Sequence, residues 1–245
     1  MNCVNCKKNN IELLDKYKME IDQDVKYLGE MSIFKCNDCH LAFCYPMPSY
    51  ENLDYFYSKI YRNINRPHHY DDYYKKYSYL DNINLDYLSY LTTHIDFNKI
   101  NAILDFGAGI GNLGYSIKKY FNHIKLYSFE SDEHCLETLK DRGYKNWTNF
   151  EEINIKFDLV ISLHSLEHLT DLNPLHKLNT LLNNDGYLFI EVPNCDFDNG
   201  YKQRVFDSPH LLFFNIKNLE NIFFNMKLKK INLIHSSYSI ENDIQ

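Results

Sequence analysis

Residues 103–111 read Ile-Leu-Asp-Phe-Gly-Ala-Gly-Ile-Gly, an apolar run carrying one acid that ends in three glycines spaced two apart. Such a run, followed by the helical pattern of residues 111–121, is a strand that turns sharply into a helix. Glycines at the turn tolerate positive φ and let the backbone approach a ligand, while the helix N-terminus offers N–H groups to it. A nucleotide-type cofactor is the natural guest. Asp105, just before the glycines, can take an amino group of that guest or cap the loop's own N–H groups.

From residue 100 onward short apolar runs alternate with helical ones. Strands are expected at 102–106, 125–130, 157–162, 187–192 and 229–235, with a weaker one near 146–147. Helices are expected at 111–121, 133–142, 173–182 and 217–224. Strands separated by helices pair in parallel through right-handed crossovers, so the fold class is α/β with a doubly wound, mostly parallel sheet. Ligands bind beyond the carboxyl ends of such strands. Glu130 closes the second strand at that edge, where a carboxylate can accept hydrogen bonds from both ribose hydroxyls. Gly109-Ile-Gly111-Asn-Leu-Gly114 also fits the dinucleotide fingerprint, so NAD competes with S-adenosylmethionine here; Asp105 favours the latter.

A different chemistry opens the chain. Cys3-Val-Asn-Cys6 and Cys36-Asn-Asp-Cys39 are two chelating turns, the pattern of a tetrahedral four-thiolate zinc site. A closed four-thiolate site leaves no open position for catalysis, so its zinc would fold the segment. Cys44, Cys135 and Cys195 are expected in cores. Pro46-Met-Pro48 marks a boundary, giving a zinc-binding segment 1–48, a helical linker or lid 49–95 and a cofactor-binding domain 96–245. Within the linker, Ser49 is read as the N-cap of one helix, and residues 70–91 as a second.

Charge and hydropathy exclude several classes. With 26 Lys+Arg against 33 Asp+Glu the formal net charge is −7, no field to hold nucleic acid, and no NPPY-type base-methylation motif occurs. Lys227, Lys229 and Lys230 alternate with apolar residues as a solvated face does. No apolar run approaches the roughly 18 residues that span a bilayer, and no signal peptide opens the sequence, so a cytoplasmic protein is expected.

Taken together, these strings resemble class I S-adenosylmethionine-dependent methyltransferases. Leu104-Asp105-Phe106-Gly107-Ala108-Gly109-Ile110-Gly111 is similar to their first motif, and Phe157-Asp158-Leu159-Val160 with Leu166-Glu167-His168-Leu169 to their fourth-strand region. Gly186-Tyr187-Leu188-Phe189-Ile190-Glu191-Val192-Pro193-Asn194 and His210-Leu-Leu-Phe213-Phe214 extend the likeness. The cysteine segment with Tyr57 and Tyr61 resembles that of a subgroup including deoxysugar C-methyltransferases and surface-polysaccharide enzymes. Two positions depart from that pattern: His40 replaces a glycine after the second cysteine pair, and Pro209 stands where C-methylating relatives carry Glu, which leaves O- or N-methylation open.

The resemblance implies a cofactor site built from Asp105, Gly107, Gly109, Gly111, Glu130, Ser131, Asn149, Phe150 and Leu163, and a zinc site of Cys3, Cys6, Cys36 and Cys39. It implies a small polar acceptor, a nucleotide-linked sugar or glycan, with a homodimer allowed. An alcohol acceptor must lose a proton, and imidazole is the side chain suited to take it near neutral pH. His210 is the first candidate base, with His168 and His164 after it; Lys202 and Arg204 could meet a phosphate or stand as solvated loop residues. An NAD-linked sugar oxidoreductase and a non-catalytic binding subunit are the alternative readings.

Overall fold

The computed structural model describes residues 1–19, 24–61, 80–200 and 209–234. In chain order its elements begin with β1 (Ile11–Lys16), α1 (Val25–Leu28), β2 (Ser32–Cys36), β3 (Ala42–Tyr45), α2 (Tyr50–Tyr55) and α3 (Leu80–Thr92). They continue with β4 (Ala102–Phe106), α4 (Asn112–Tyr120), β5 (Lys125–Phe129), α5 (Glu133–Asp141), β6 (Tyr144–Trp147) and β7 (Phe157–Leu163). The last are α6 (Asn173–Thr180), β8 (Leu182–Glu191), β9 (Leu212–Phe213) and α7 (Ile216–Asn225). Of the expected helix 70–91, residues 70–79 lie outside the described residues, as do Lys202 and Arg204.

Strands β4 to β8 form one sheet in the order β6-β5-β4-β7-β8, with every neighbouring pair parallel. The chain enters at β4, winds outward to β6, then returns to β7, so the order reverses between β4 and β7, where such sheets hold ligands. Side chains alternate across the strands. Leu104, Phe106 and Val160 share one core with Leu175 and Leu178 of α6 and Ile222 of α7. Ile103, Leu159 and Ile161 face the other way, onto Leu91 of α3, Leu113 and Ile117 of α4 and Leu139 of α5. Both faces are covered, as a doubly wound sheet requires.

The expected strand at 229–235 is not formed: residues 229–234 carry no strand, and residue 235 lies outside the described residues. Among the described residues its Ile231 and Ile234 stay 57% and 61% exposed, and Lys230 turns to Glu220 of α7. An alternating run becomes a strand only where one of its faces is buried.

The chain after β8 crosses to the N-terminal part of the molecule. There β9 pairs antiparallel with β3, matching Ala42 to Phe213 and Phe43 to Leu212, and completes a four-stranded sheet of order β1-β2-β3-β9. Its core joins Ile33, Ala42, Cys44, Leu53, Phe56, Leu211 and Phe213. Ser49 caps α2 by accepting the Asn52 N–H at 3.2 Å, and the helix runs on into a π-helical turn, Phe56–Ile60. No described helix is long and apolar enough to cross a membrane.

Candidate active site and cysteine cluster

The glycine loop leaves β4 with Gly107, Gly109 and Gly111 all left-handed, at φ of 69°, 53° and 71°. It is stitched to the end of β5: Gly107 donates its N–H to the Phe129 carbonyl at 2.9 Å, and Gly109 donates to the Glu130 carboxylate at 2.7 Å. The other Glu130 oxygen accepts from the Asp132 N–H at 2.9 Å. Asp105 is buried beneath this loop. Loss of hydration, with the Glu130 charge nearby and against the Tyr144 hydroxyl, pushes its pKa up to about 7.

The remaining expected cofactor residues are distributed unevenly. Ser131 follows Glu130, and Leu163 ends β7 next to β4. Phe150 sets its ring edge-on to Phe106 and tilted to Phe129, 5.0 and 5.2 Å away between centroids, so it reaches the carboxyl ends of the same two strands. Asn149 is exposed, and its side chain is occupied in the local turn, accepting from the Glu151 N–H at 3.0 Å and donating to Glu152.

Two supports of the loop lie far along the chain and carry no sequence signal of their own. Tyr144 donates its hydroxyl to the Gly111 carbonyl at 2.9 Å, and Arg142 donates to the Ile110 carbonyl and the Asn112 side chain, both at 2.6 Å. A Cβ at Gly107 would lie 2.2 Å from Ser165 Oγ, so the segment after β7 presses directly on the glycine loop.

That segment brings the three candidate histidines around Glu167. His164 follows β7 with φ at 49°; its Nε2 lies 2.9 Å from Glu191 and its Nδ1 3.5 Å from Glu167. Burial alone would lower the pKa of His164, but the two carboxylates raise it to about 9, so it is an imidazolium at neutral pH. Tyr87 of α3 donates its hydroxyl to the same Glu191 at 2.7 Å. His168 and His210 stand edge to face, ring centroids 4.8 Å apart, and His210 Nε2 is 4.0 Å from Glu167. Burial would raise the pKa of Glu167, which is 2% exposed; His164, then His168 and His210, offset this and bring it to about 2. Tyr57 of the π-helical turn meets the His168 ring at 5.7 Å.

His210 is held from two sides. Its N–H donates to the Tyr17 hydroxyl at 3.0 Å, the Cys44 N–H donates to the Leu211 carbonyl at 2.8 Å, and the Leu211 N–H donates to the Glu167 carbonyl at 2.7 Å. Sequence reasoning named the histidines, but Glu191, Tyr87 and Tyr17 were missed: each is an ordinary residue until the fold brings it there.

At the other end, Cys3 and Cys39 Sγ lie 3.5 Å apart, as do Cys6 and Cys36, and all four thiols fall within 4.8 Å of one another. The two turns match: the N–H of the residue after each pair returns to the first cysteine's carbonyl, Lys7 to Cys3 at 3.1 Å and His40 to Cys36 at 2.8 Å. Lys7 and His40 both adopt positive φ, 62° and 61°, so His40 takes the left-handed conformation that a glycine would supply. Cys44, Cys135 and Cys195 are buried, as expected.

Residues 76–233 match the methyltransferase-domain family, so the chain belongs to it. An uncharacterized protein of Methanocaldococcus jannaschii is 30% identical over 122 residues, 49% of this chain and 52% of that protein. The chain thus spans about half the length of the curated relative it matches. Among solved structures, the plantazolicin methyltransferase BpumL in complex with SAH is similar in fold, with a TM-score of 0.54 at 16% identity over 71% of this chain and 74% of that one. An O-methyltransferase family protein from Burkholderia thailandensis is similar with a TM-score of 0.51 at 9% identity, over 65% and 53% of the two chains. The fold is that of class I methyltransferases.

Proposed function

We propose that this chain transfers a methyl group from S-adenosylmethionine to a hydroxyl oxygen of a small polar acceptor, a nucleotide-linked or polysaccharide sugar. The observation that carries the reading is the contact between the glycine loop and the segment after β7, which sets a histidine and carboxylate cluster beside the cofactor motif. When bound, S-adenosylmethionine supplies an electrophilic methyl on a sulfonium. The loop glycines and the start of α4 receive it, Glu130 takes the ribose hydroxyls, and Asp105 faces its amino group.

The rest is positioning and one proton. His210 takes the acceptor proton at an imidazole nitrogen, and the ionised Glu167 stabilises the resulting imidazolium, while His168 packs against the ring. His164, already charged, holds Glu167 and Glu191 in place. Residues 1–48 form a segment folded by zinc on Cys3, Cys6, Cys36 and Cys39, residues 49–95 the cover, and residues 96–245 the cofactor domain. The four converging thiols fit a closed structural ion. The protein acts in the cytosol, without nucleic acid.

One experiment tests this reading: titration of wild type and His210→Ala with S-adenosylhomocysteine and, in parallel, NADH, followed by turnover on a panel of nucleotide sugars. Expected are S-adenosylhomocysteine binding by both proteins, no NADH binding, and turnover in the variant lower by about 100-fold or more. NADH binding alone would overturn the cofactor, and unchanged turnover would overturn the base.

A further inference from the structure

Glu167 is out of keeping with a folded interior. Both its oxygens are buried and neither accepts a hydrogen bond of ordinary geometry, a costly condition for a carboxylate. What surrounds it is imidazole. His168 is bonded through Nδ1 to the Pro209 carbonyl at 3.0 Å; a carbonyl only accepts, so Nδ1 carries a proton and Nε2 is the nitrogen that would face an ion. One donor atom from each of Glu167, His168 and His210 lies within 4.8 Å of the other two.

Two imidazoles and one carboxylate are a donor set for first-row divalent ions, and a ligating histidine habitually gives its other N–H to a carbonyl or carboxylate. The backbone is organised for it. The Leu211 N–H to Glu167 carbonyl bond ties Glu167 to the residue after His210, and Tyr17, just past β1, anchors His210. His164 contacts the Glu167 carboxylate from outside the triad, as an orienting partner does.

We propose that Glu167, His168 and His210 form a second metal site, chemically distinct from the four-cysteine cluster, that takes zinc or another first-row divalent ion. Three protein donors leave one position of a tetrahedral ion open. Its consequence rests on the reaction proposed above: imidazole nitrogens holding an ion cannot accept the acceptor's proton, so a loaded second site and proton uptake by His210 exclude each other.

The site is tested on the full chain, purified with zinc on its cysteines and titrated with Co²⁺ alone, without cofactor or acceptor. Expected is one further equivalent of Co²⁺ with ligand-field absorption and no thiolate charge-transfer band. Glu167→Gln and His168→Ala should each weaken it by about 10-fold or more. In wild type, bound Co²⁺ should shift or broaden the imidazole proton resonances of His168 and His210, a check that does not depend on any variant folding. The proposal is overturned if no Co²⁺ binds beyond the cysteine site, if the added Co²⁺ shows thiolate bands, or if those resonances are unmoved. A protein that binds the ion but methylates nothing would sink the reaction and leave the site standing.

Discussion

Asp105 sits at the end of a strand, buried, with Glu130 close enough to oppose its ionisation, and its pKa rises to about 7 against about 3.9 in an unfolded chain. Between those values the folded protein holds a proton that the unfolded chain has released. Stability from this group is therefore fully present below about pH 4 and is lost as pH rises through about 7. Asp105→Asn cannot ionise, so the thermal midpoint of wild type should fall relative to the variant between about pH 4 and 7. Parallel curves would refute the shift. The cofactor amino group proposed above to meet Asp105 would draw the carboxyl into its charged form. The acid was legible in the sequence because it precedes the glycines; its perturbation was not, because that depends on what covers it.

The glycine loop and α4 form one element whose shape is set from outside. At Gly111 φ is +71°, and a Cβ there would lie 2.6 Å from the Tyr144 ring, whose hydroxyl bonds the Gly111 carbonyl. Gly111→Ala thus meets both backbone strain and a clash with a buried ring, a cost of about 2 to 4 kcal/mol together. Urea unfolding should show a loss of that order, with weakened S-adenosylhomocysteine binding; a loss below about 0.5 kcal/mol would mean the loop is not templated by Tyr144. Strands β4, β5 and β7 and helices α4 to α7 were legible within a residue or two, because each pairs a strong period with a capping or turn residue. Strand 229–235 was not, since Ile231 and Ile234 stay exposed among the described residues.

Across the whole molecule, the second sheet links the cysteine cluster to the histidine cluster. Cys36 ends β2, β2 pairs with β3, and β3 pairs with β9, the strand that begins two residues after His210. Cys3, Cys36 and Cys39 also share the core that holds Leu104 and Phe106 of β4. Stripping the ion proposed for the four thiols should then lower the thermal midpoint and disturb His210 together. Chelator-treated protein is expected to lose turnover far more than S-adenosylhomocysteine affinity, because the glycine loop belongs to the other sheet; equal losses would argue that the two sheets fail as one. By itself the sequence determined the parallel α/β sheet, the glycine loop with its two acids and the two cysteine turns, since local periods and short spacings dictate these. Only the tertiary structure decided that β9 completes the N-terminal sheet, that Tyr17 and Glu167 grip the His210 strand, and that three histidines converge on one carboxylate. His164 and His168 neighbour Glu167 in the chain, but Tyr17 and His210 lie 193 residues apart, and no local pattern records which distant residue will desolvate or bond another.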